Sequence, residues 1–243
     1  MATDSEFGCD DGKRRCAISA YYALCTMMDE HVGAICAAVD SAGLADTTTV
    51  IYTSDHGEAL GLRGHWAKSN LYDECTQVPL VVAGPGLPRR AICSTPVNLI
   101  DLAPTFLAAF GLSDPTLPGR SLFDIACEPS DPKRVAFSEY HAVGAPSGAF
   151  MLRKGRWKLH EYVGFDAELF DLESDPEEII NRIHDPSCAS VAADLRAEMR
   201  RIVDPEMADR QAKSDQQDLI EEFGGRDAAH RIGTEGATPP PTA

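Results

Sequence analysis

Basic residues are scarce in this chain of 243 amino acids: 22 Lys and Arg stand against 38 Asp and Glu, a formal net charge of −16. A surface of that sign is repelled by a phosphate backbone and by anionic lipid. Neither nucleic acid nor membrane is an expected partner, although a local pocket can still take an anion. Long apolar runs are missing too. None approaches the ~18 residues of a membrane span, and the opening MATDSEFGCDDGKRRCAISA lacks the basic-then-apolar order of a secretion signal, so a cytoplasmic chain is expected. The eight cysteines are scattered without a C-x-x-C or C-x-x-H spacing, and several fall in apolar patterns, which favours buried free thiols over disulfides.

What is present is a composition of 44% hydrophobic and 25% charged residues, enough for a sizeable globular core. Residues 14–42 carry Ile18, Tyr21, Tyr22, Cys25, Met28, Val32, Ile35, Cys36 and Val39 at helical spacing, with Gly43 as a stop. TTTVIYT (47–53) is short and β-branched, as a buried strand of a parallel sheet would be. VPLVVAGPG (78–86) repeats that pattern before a Gly-Pro turn, and IDLAPTFLAAFG (100–111) reads as a helix near whose start Asp101 lies. Helices covering a mostly parallel sheet are the α/β arrangement this order implies. From about residue 134 the pattern changes to the short strands VAFSEY, AFMLRKGRWKLHEY and ELFDL, with a hairpin turn at Lys154-Gly155. Two helices separated near Pro205 follow, and then a Pro/Gly/Thr tail with nothing to build a core.

The chemistry sits in TVIYTSDHGEALGLRGHWAKSNLYDE, residues 49–74. Asp55 and His56 leave the carboxyl end of the 47–53 strand, where ligands bind in open α/β sheets. A carboxylate oxygen and an imidazole nitrogen can share a divalent cation, and Gly57 lets the backbone turn and approach a ligand. A hard cation takes about six ligands, so two protein donors are only part of such a site. Asp10-Asp11-Gly12 imitates an acidic metal pair but precedes the helix, and reads as a solvated turn. Taken alone, Asp55-His56-Gly57 reads as a strand-ending turn and Lys68 as a solvated loop lysine.

The longer string changes that reading. TSDHGE, a glycine-rich loop, WAK, a YDE cluster leading into VPL, and then STPVNLIDLAPTFLAAFG, PGRSL, SEYHAVGAPSGAFMLRKGRWKL and ELFDLESDPEE together resemble the sulfatase family of the alkaline-phosphatase-like superfamily over residues 14–225. The later stretches look most like its choline-sulfatase-like branch. The resemblance implies that Asp55 and His56 are metal ligands for one Ca2+ or Mg2+ and that Lys68 contacts the sulfate. It implies a small sulfate ester as substrate, cleaved by attack of a formylglycine hydrate on sulfur and departure of the alcohol. His65, placed before Trp66, and His141, in SEYHAVG, are candidates for the substrate side of the pocket, or for packing. The fold class implied is α/β: part of an alkaline-phosphatase-like, mostly parallel sheet flanked by helices, plus a small C-terminal antiparallel α+β subdomain. Its expected divisions are a frayed start (1–13), the C-terminal part of the catalytic domain (14–133), the α+β subdomain with its helices (134–225) and a disordered tail (226–243).

One departure stands out. The family's nucleophile arises from a cysteine in C-x-[P/A]-x-R, and no cysteine here fits; Cys127, in CEPSD, has the proline but ends on Asp131. The sequence is therefore expected to lack roughly the first half of the fold, to be catalytically incomplete in isolation, and to bind Ca2+ no better than weakly. A homo-oligomer or a complementing N-terminal fragment is the expected protein partner. The alternatives are a phosphonate or phosphate ester hydrolase of the same superfamily, and a binding or subunit module without catalysis.

Overall fold

The computed structural model describes residues 2–3, 10–142 and 145–228. The expected frayed start and disordered tail lie largely outside them, at positions 1, 4–9 and 229–243. Within that start, Ala2–Thr3 (β1) pairs with a short strand introduced below. Asp10 is a helix cap rather than part of a solvated turn: its side chain accepts the Lys13 amide at 2.8 Å and opens Asp11–Ser41 (α1), satisfying one of the donors a helix start leaves orphaned. Gly43, at φ +67°, follows the last turn of α1 in the left-handed region that a side chain would resist. The apolar stripe read from the sequence is present on α1, yet no α1 residue is buried, and Tyr22, Leu24, Met27, Met28 and Ile35 are exposed.

Val50–Thr53 (β2) holds the β-branched run. His65–Trp66 (β3) is the partner of β1, and Asp73–Thr76 (α2) is a single helical turn. Leu80–Ala83 (β4) pairs with β2 from Val50↔Ala83 to Thr53↔Leu80. This pairing is antiparallel, and no parallel neighbour of β2 occurs among the described residues, so the parallel sheet read into 47–53 is not formed by them. Short apolar strands carry no direction in their composition, which is why the sequence pattern could not decide it. Leu102–Ala109 (α3) and Leu122–Cys127 (α4) follow. They are joined through Asp101, which has no exposed surface and whose carboxylate accepts from the Asn98 and Arg120 amides and pairs with Arg134 at 2.7 Å.

The C-terminal region has a core of its own. Val135–Tyr140 (β5), Ala149–Lys154 (β6), Trp157–Tyr162 (β7) and Glu168–Asp171 (β8) form an antiparallel sheet in sequence order. The Lys154-Gly155 turn lies between β6 and β7 as the sequence indicated, with Gly155 at φ +57°. Alternation divides the sheet into two faces. Phe150, Leu152, Leu159 and Leu169 pack with Ala192, Leu195 and Met199 of Ala189–Ile202 (α5). Truncating one of these large side chains to Ala would cost about 2–5 kcal/mol. Pro205–Glu222 (α6), capped by Asp204, docks through Asp209, whose carboxylate accepts the Gly148 amide at 2.7 Å. The other face carries Lys158, His160 and Tyr162 and receives the chain around Leu71 and Tyr72. No helix of the described residues is long and apolar enough to cross a membrane.

The expectation of buried thiols fails for most cysteines. The seven described ones are free, but only Cys75 and Cys188 are buried; Cys16, Cys25 and Cys36 lie along α1, whose apolar stripe the described residues leave uncovered.

Candidate functional site

Asp55, His56 and Lys68 meet just past the end of β2. The loop between them closes on itself through backbone bonds from Ala59 N to Ala67 O (3.1 Å) and from Gly61 N to His65 O (2.8 Å), and Glu58 accepts the Ala67 amide at 2.6 Å. Leu60, Arg63 and Ala67 all hold positive φ, a local strain that persists only where the surroundings fix it. Closure brings the Lys68 ammonium against His56 Nε2, and Asp55 Oδ2 lies 3.2 Å from the same nitrogen.

Gly57 has a different role from the one its position suggested. Its amide donates to Cys75 O at 2.9 Å, and a Cβ there would stand 2.0 Å from Glu74 O. The close approach is to the backbone of residues 74–75, not to a ligand.

His56 is oriented by its neighbours. Nδ1 lies 2.8 Å from the Gly57 carbonyl, which can only accept, so Nδ1 carries a hydrogen and Nε2 is turned toward Lys68 and Asp55. Metal-bound histidines are held in this way, with one nitrogen donating to a backbone carbonyl and the other free to coordinate. Slight burial pushes the Asp55 carboxyl up; His56, the backbone amides of Asp55 and His56, and Lys68 together outweigh it and hold the group below its ordinary value. An oxygen donor and a nitrogen donor thus face one point that a cationic group already adjoins, which fits one side of a divalent-cation site. Three or more His, Cys, Asp or Glu side chains gathered for a metal do not occur among the described residues.

The segment after Lys68 is pinned to the C-terminal sheet by a buried polar network. Lys158 has no exposed surface, and its ammonium lies 2.6 Å from Asp73 Oδ1 and 2.8 Å from Glu178 Oε1. Glu178, at φ +53°, also accepts the Asp73 amide at 2.6 Å. Arg63 bridges Glu74 and the Glu177 carbonyl and lies 4.0 Å over the Tyr72 ring. Tyr72 and Tyr162 donate to Glu168 at 2.9 and 2.8 Å, and His160 Nδ1 is 3.3 Å from the same carboxylate. Burial pushes the Glu168 carboxyl up, but the bonds from His160, Tyr162 and Tyr72 win and lower it. Burial lowers the His160 imidazole despite Glu168, so His160 is neutral.

Two family models match this chain: "Sulfatase" over residues 3–112 and "N-sulphoglucosamine sulphohydrolase, C-terminal" over residues 61–204. The chain belongs to the sulfatase family. Arylsulfatase K of Mus musculus is 34% identical over 173 residues, covering 66% of this chain and 31% of that protein. Choline-sulfatase of Rhizobium meliloti (strain 1021) is 34% identical over 174 residues, covering 69% and 33%. The chain thus spans about a third of the length of these relatives. Among solved structures, the phosphonate monoester hydrolase SpPMH from Silicibacter pomeroyi superposes with a TM-score of 0.72 at 29% identity, over 82% of this chain and 42% of that one.

In this sulfatase-family chain His65 lines a cavity together with Ser69, Tyr72 and Tyr162, and Asp55, His56 and Lys68 are not among its lining residues. His141 is not among that cavity's lining residues: its ring packs edge-on against Phe150 with centroids 5.2 Å apart, and its Nε2 is 3.6 Å from Glu139. Sequence reasoning missed Tyr72, Lys158, His160, Glu168 and Glu178. A signal did exist, since Lys158, His160 and Tyr162 alternate along one strand and put three polar tips on one face, where a two-sided sheet calls for a partner.

Proposed function

We propose that this chain carries one side of the active site of a divalent-cation-dependent sulfuric ester hydrolase, with Asp55 and His56 as cation ligands and Lys68 as the sulfate contact. The observation that carries this reading is the convergence of Asp55 Oδ2 and Lys68 Nζ on His56 Nε2. A bound Ca2+ or Mg2+ would supply positive charge for the sulfate oxygens as the ester bond breaks. The Gly57 carbonyl holds the His56 ring in register through Nδ1–H. Lys68 donates its protons to a peripheral sulfate oxygen or to the departing alkoxide, and a fixed ammonium is most effective where charge develops in the transition state. The strained loop and its closing bonds keep that ammonium in place without reorganisation during the reaction.

The cysteines do not fit a formylglycine precursor, because none lies in C-x-[P/A]-x-R, and no step through that group is assigned to this chain. The nucleophile then comes from a segment other than these residues, and the isolated chain is inactive. Incubation with 4-methylphenyl sulfate and Mg2+ or Ca2+ tests this: no cresol release is expected, and release abolished by Lys68→Ala would contradict it. The likeness to a phosphonate monoester hydrolase supports a second reading, hydrolysis of a phosphonate ester at the same residues. Both oxyanions offer peripheral oxygens to a cation and a lysine; competitive displacement of a sulfate ester by a phosphonate ester would favour it.

A further inference from the structure

Arg63 stands at the tip of the closed loop that ends on Lys68, and its backbone is held at φ +53°. Its guanidinium engages three other segments: it pairs with Glu74 of α2, donates to the Glu177 and Glu178 carbonyls, and lies 4.0 Å over the Tyr72 ring. Water reaches little of the pair, with 23% of the Arg63 side chain and 11% of the Glu74 side chain exposed. Salt and solvent screen such a pair less than a surface one. Glu74 is what connects this contact to the site. Its carbonyl accepts the Glu58 amide at 2.9 Å and the Cys75 carbonyl beside it accepts the Gly57 amide at 2.9 Å, so the turn at residues 55–58 rests on the backbone of residues 74–75. Gly57 in turn holds His56 through Nδ1. One residue, Glu74, thus grips the His56 turn through its backbone and the Lys68 loop through its side chain. From the Arg63 tip the loop returns to Lys68 along the bonds from Gly61 N to His65 O and from Ala59 N to Ala67 O.

We infer that Arg63 is a positioning residue for the proposed reaction: through Glu74 it sets the separation of Lys68 from His56, and so the place at which the ammonium meets the ester. The inference rests on the reading of Asp55, His56 and Lys68 as the site. Side-chain chemistry supports it, because a planar guanidinium can hold a carboxylate and a carbonyl at once while stacking on an aromatic face, whereas an ammonium is a single point charge on a flexible stem. Backbone geometry supports it as well. Leu60, Arg63 and Ala67 all hold positive φ, a conformation that a loop of non-glycine residues keeps only with outside support, and the Arg63 contacts with residues 74 and 177–178 supply that support. A shift of about 1 Å in a group that acts on the transition state is enough to cost a large part of the rate.

The test follows the full chain by NMR, with nuclear Overhauser contacts between the His56 imidazole and the Lys68 methylenes as the measure of separation. Arg63→Met keeps the length of the side chain and removes its donors; it is expected to weaken those contacts at least about threefold while the amide shifts of β5 to β8 and of α5 stay in place. Arg63→Lys should weaken them nearly as much, since it keeps the charge without the fork, and it carries the test if Arg63→Met does not fold. Leu195→Ala is the control: it opens a cavity in the distant core, lowers stability, and should leave the contacts intact. Mn2+ at low millimolar concentration gives a second reading. In Arg63→Met the resonances of residues 54–57 should broaden as in the wild type, and those of Lys68 less than in the wild type. Unchanged contacts or unchanged Lys68 broadening in Arg63→Met, full retention of the contacts in Arg63→Lys, or an equal loss in Leu195→Ala would overturn the inference. The two claims fail separately: Mn2+ that leaves residues 54–57 of the wild type sharp removes the cation reading, whereas the contacts report on Arg63 with no metal present.

Discussion

Lys158 and Asp73, far apart in the sequence, form a buried ion pair 2.6 Å long that fastens β7 to the helical turn following the Lys68 loop. Glu178 completes it from a third segment, at 2.8 Å from the same ammonium. The catalytic candidates are therefore held by the C-terminal sheet as well as by β2. Removing the cation leaves Glu178 buried beside Asp73, which then has only Arg153, 3.9 Å away, and breaking a buried pair in this way costs about 3–5 kcal/mol. Lys158→Ala should lower the urea midpoint accordingly. Lys158→Met combined with Asp73→Asn and Glu178→Gln should recover much of the loss, because the uncompensated charges go with it. Equal stability of wild type and Lys158→Ala would show that the pair is not closed in solution.

The pH dependence of stability follows from His160 and Glu168. The native imidazole is lowered by burial, with Lys158 adding to that effect and Glu168 and Glu178 opposing it. The unfolded state therefore binds a proton that the native state refuses as pH falls through the unfolded value of about 6.5. The native Glu168 carboxyl is lowered as well, so its contribution is present above the unfolded value of about 4.3 and is lost as pH falls further. Both effects have the same sign, and acid destabilises. Denaturation midpoints measured from pH 7.5 to 3 should decline first between about 7 and 5.5, and His160→Gln should remove that first decline while keeping the second, below about 4.3, in reduced form. A profile unchanged by the substitution would contradict the assignment.

Gly57→Ala should disturb the site without touching a proposed ligand. Its Cβ would stand 2.0 Å from Glu74 O, so the 55–58 turn must move away from residues 74–75. Overpacking of this kind costs about 1–3 kcal/mol. The shift should also separate His56 from Lys68, seen as a loss of nuclear Overhauser contacts between the imidazole and the lysine methylenes. Intact contacts and an unchanged melting temperature would mean that the backbone has room to spare.

The sequence made visible those features that are local. The strand ahead of Asp55, the hairpin at Gly155, the break before Pro205 and the grouping of Asp55, His56 and Lys68 all follow from short-range pattern or from the matched motif. Long-range chemistry was hidden. The antiparallel pairing of β2 with β4 depends on which strands are present to pair, and composition does not record that. Lys158 reads as a surface residue in RWKLHEY, because nothing near it announces the carboxylates of Asp73 and Glu178. Gly57 shows by its type only that something comes close, not that the neighbour is the backbone of residues 74–75. The helical stripe of α1 implies a cover for its thiols, and the described residues do not provide one.

The claim that Asp55 and His56 form one side of a cation site is tested most directly with Mn2+ as a paramagnetic probe on the isolated chain. Two protein donors leave a hard cation largely hydrated, so binding should be weak, in the millimolar range rather than the micromolar. At low millimolar Mn2+ the account predicts that the resonances of residues 54–57 and of Lys68 broaden before any others, and that Asp55→Ala and His56→Ala each abolish this. Broadening that begins on the carboxylates of α6 and leaves His56 sharp would contradict it.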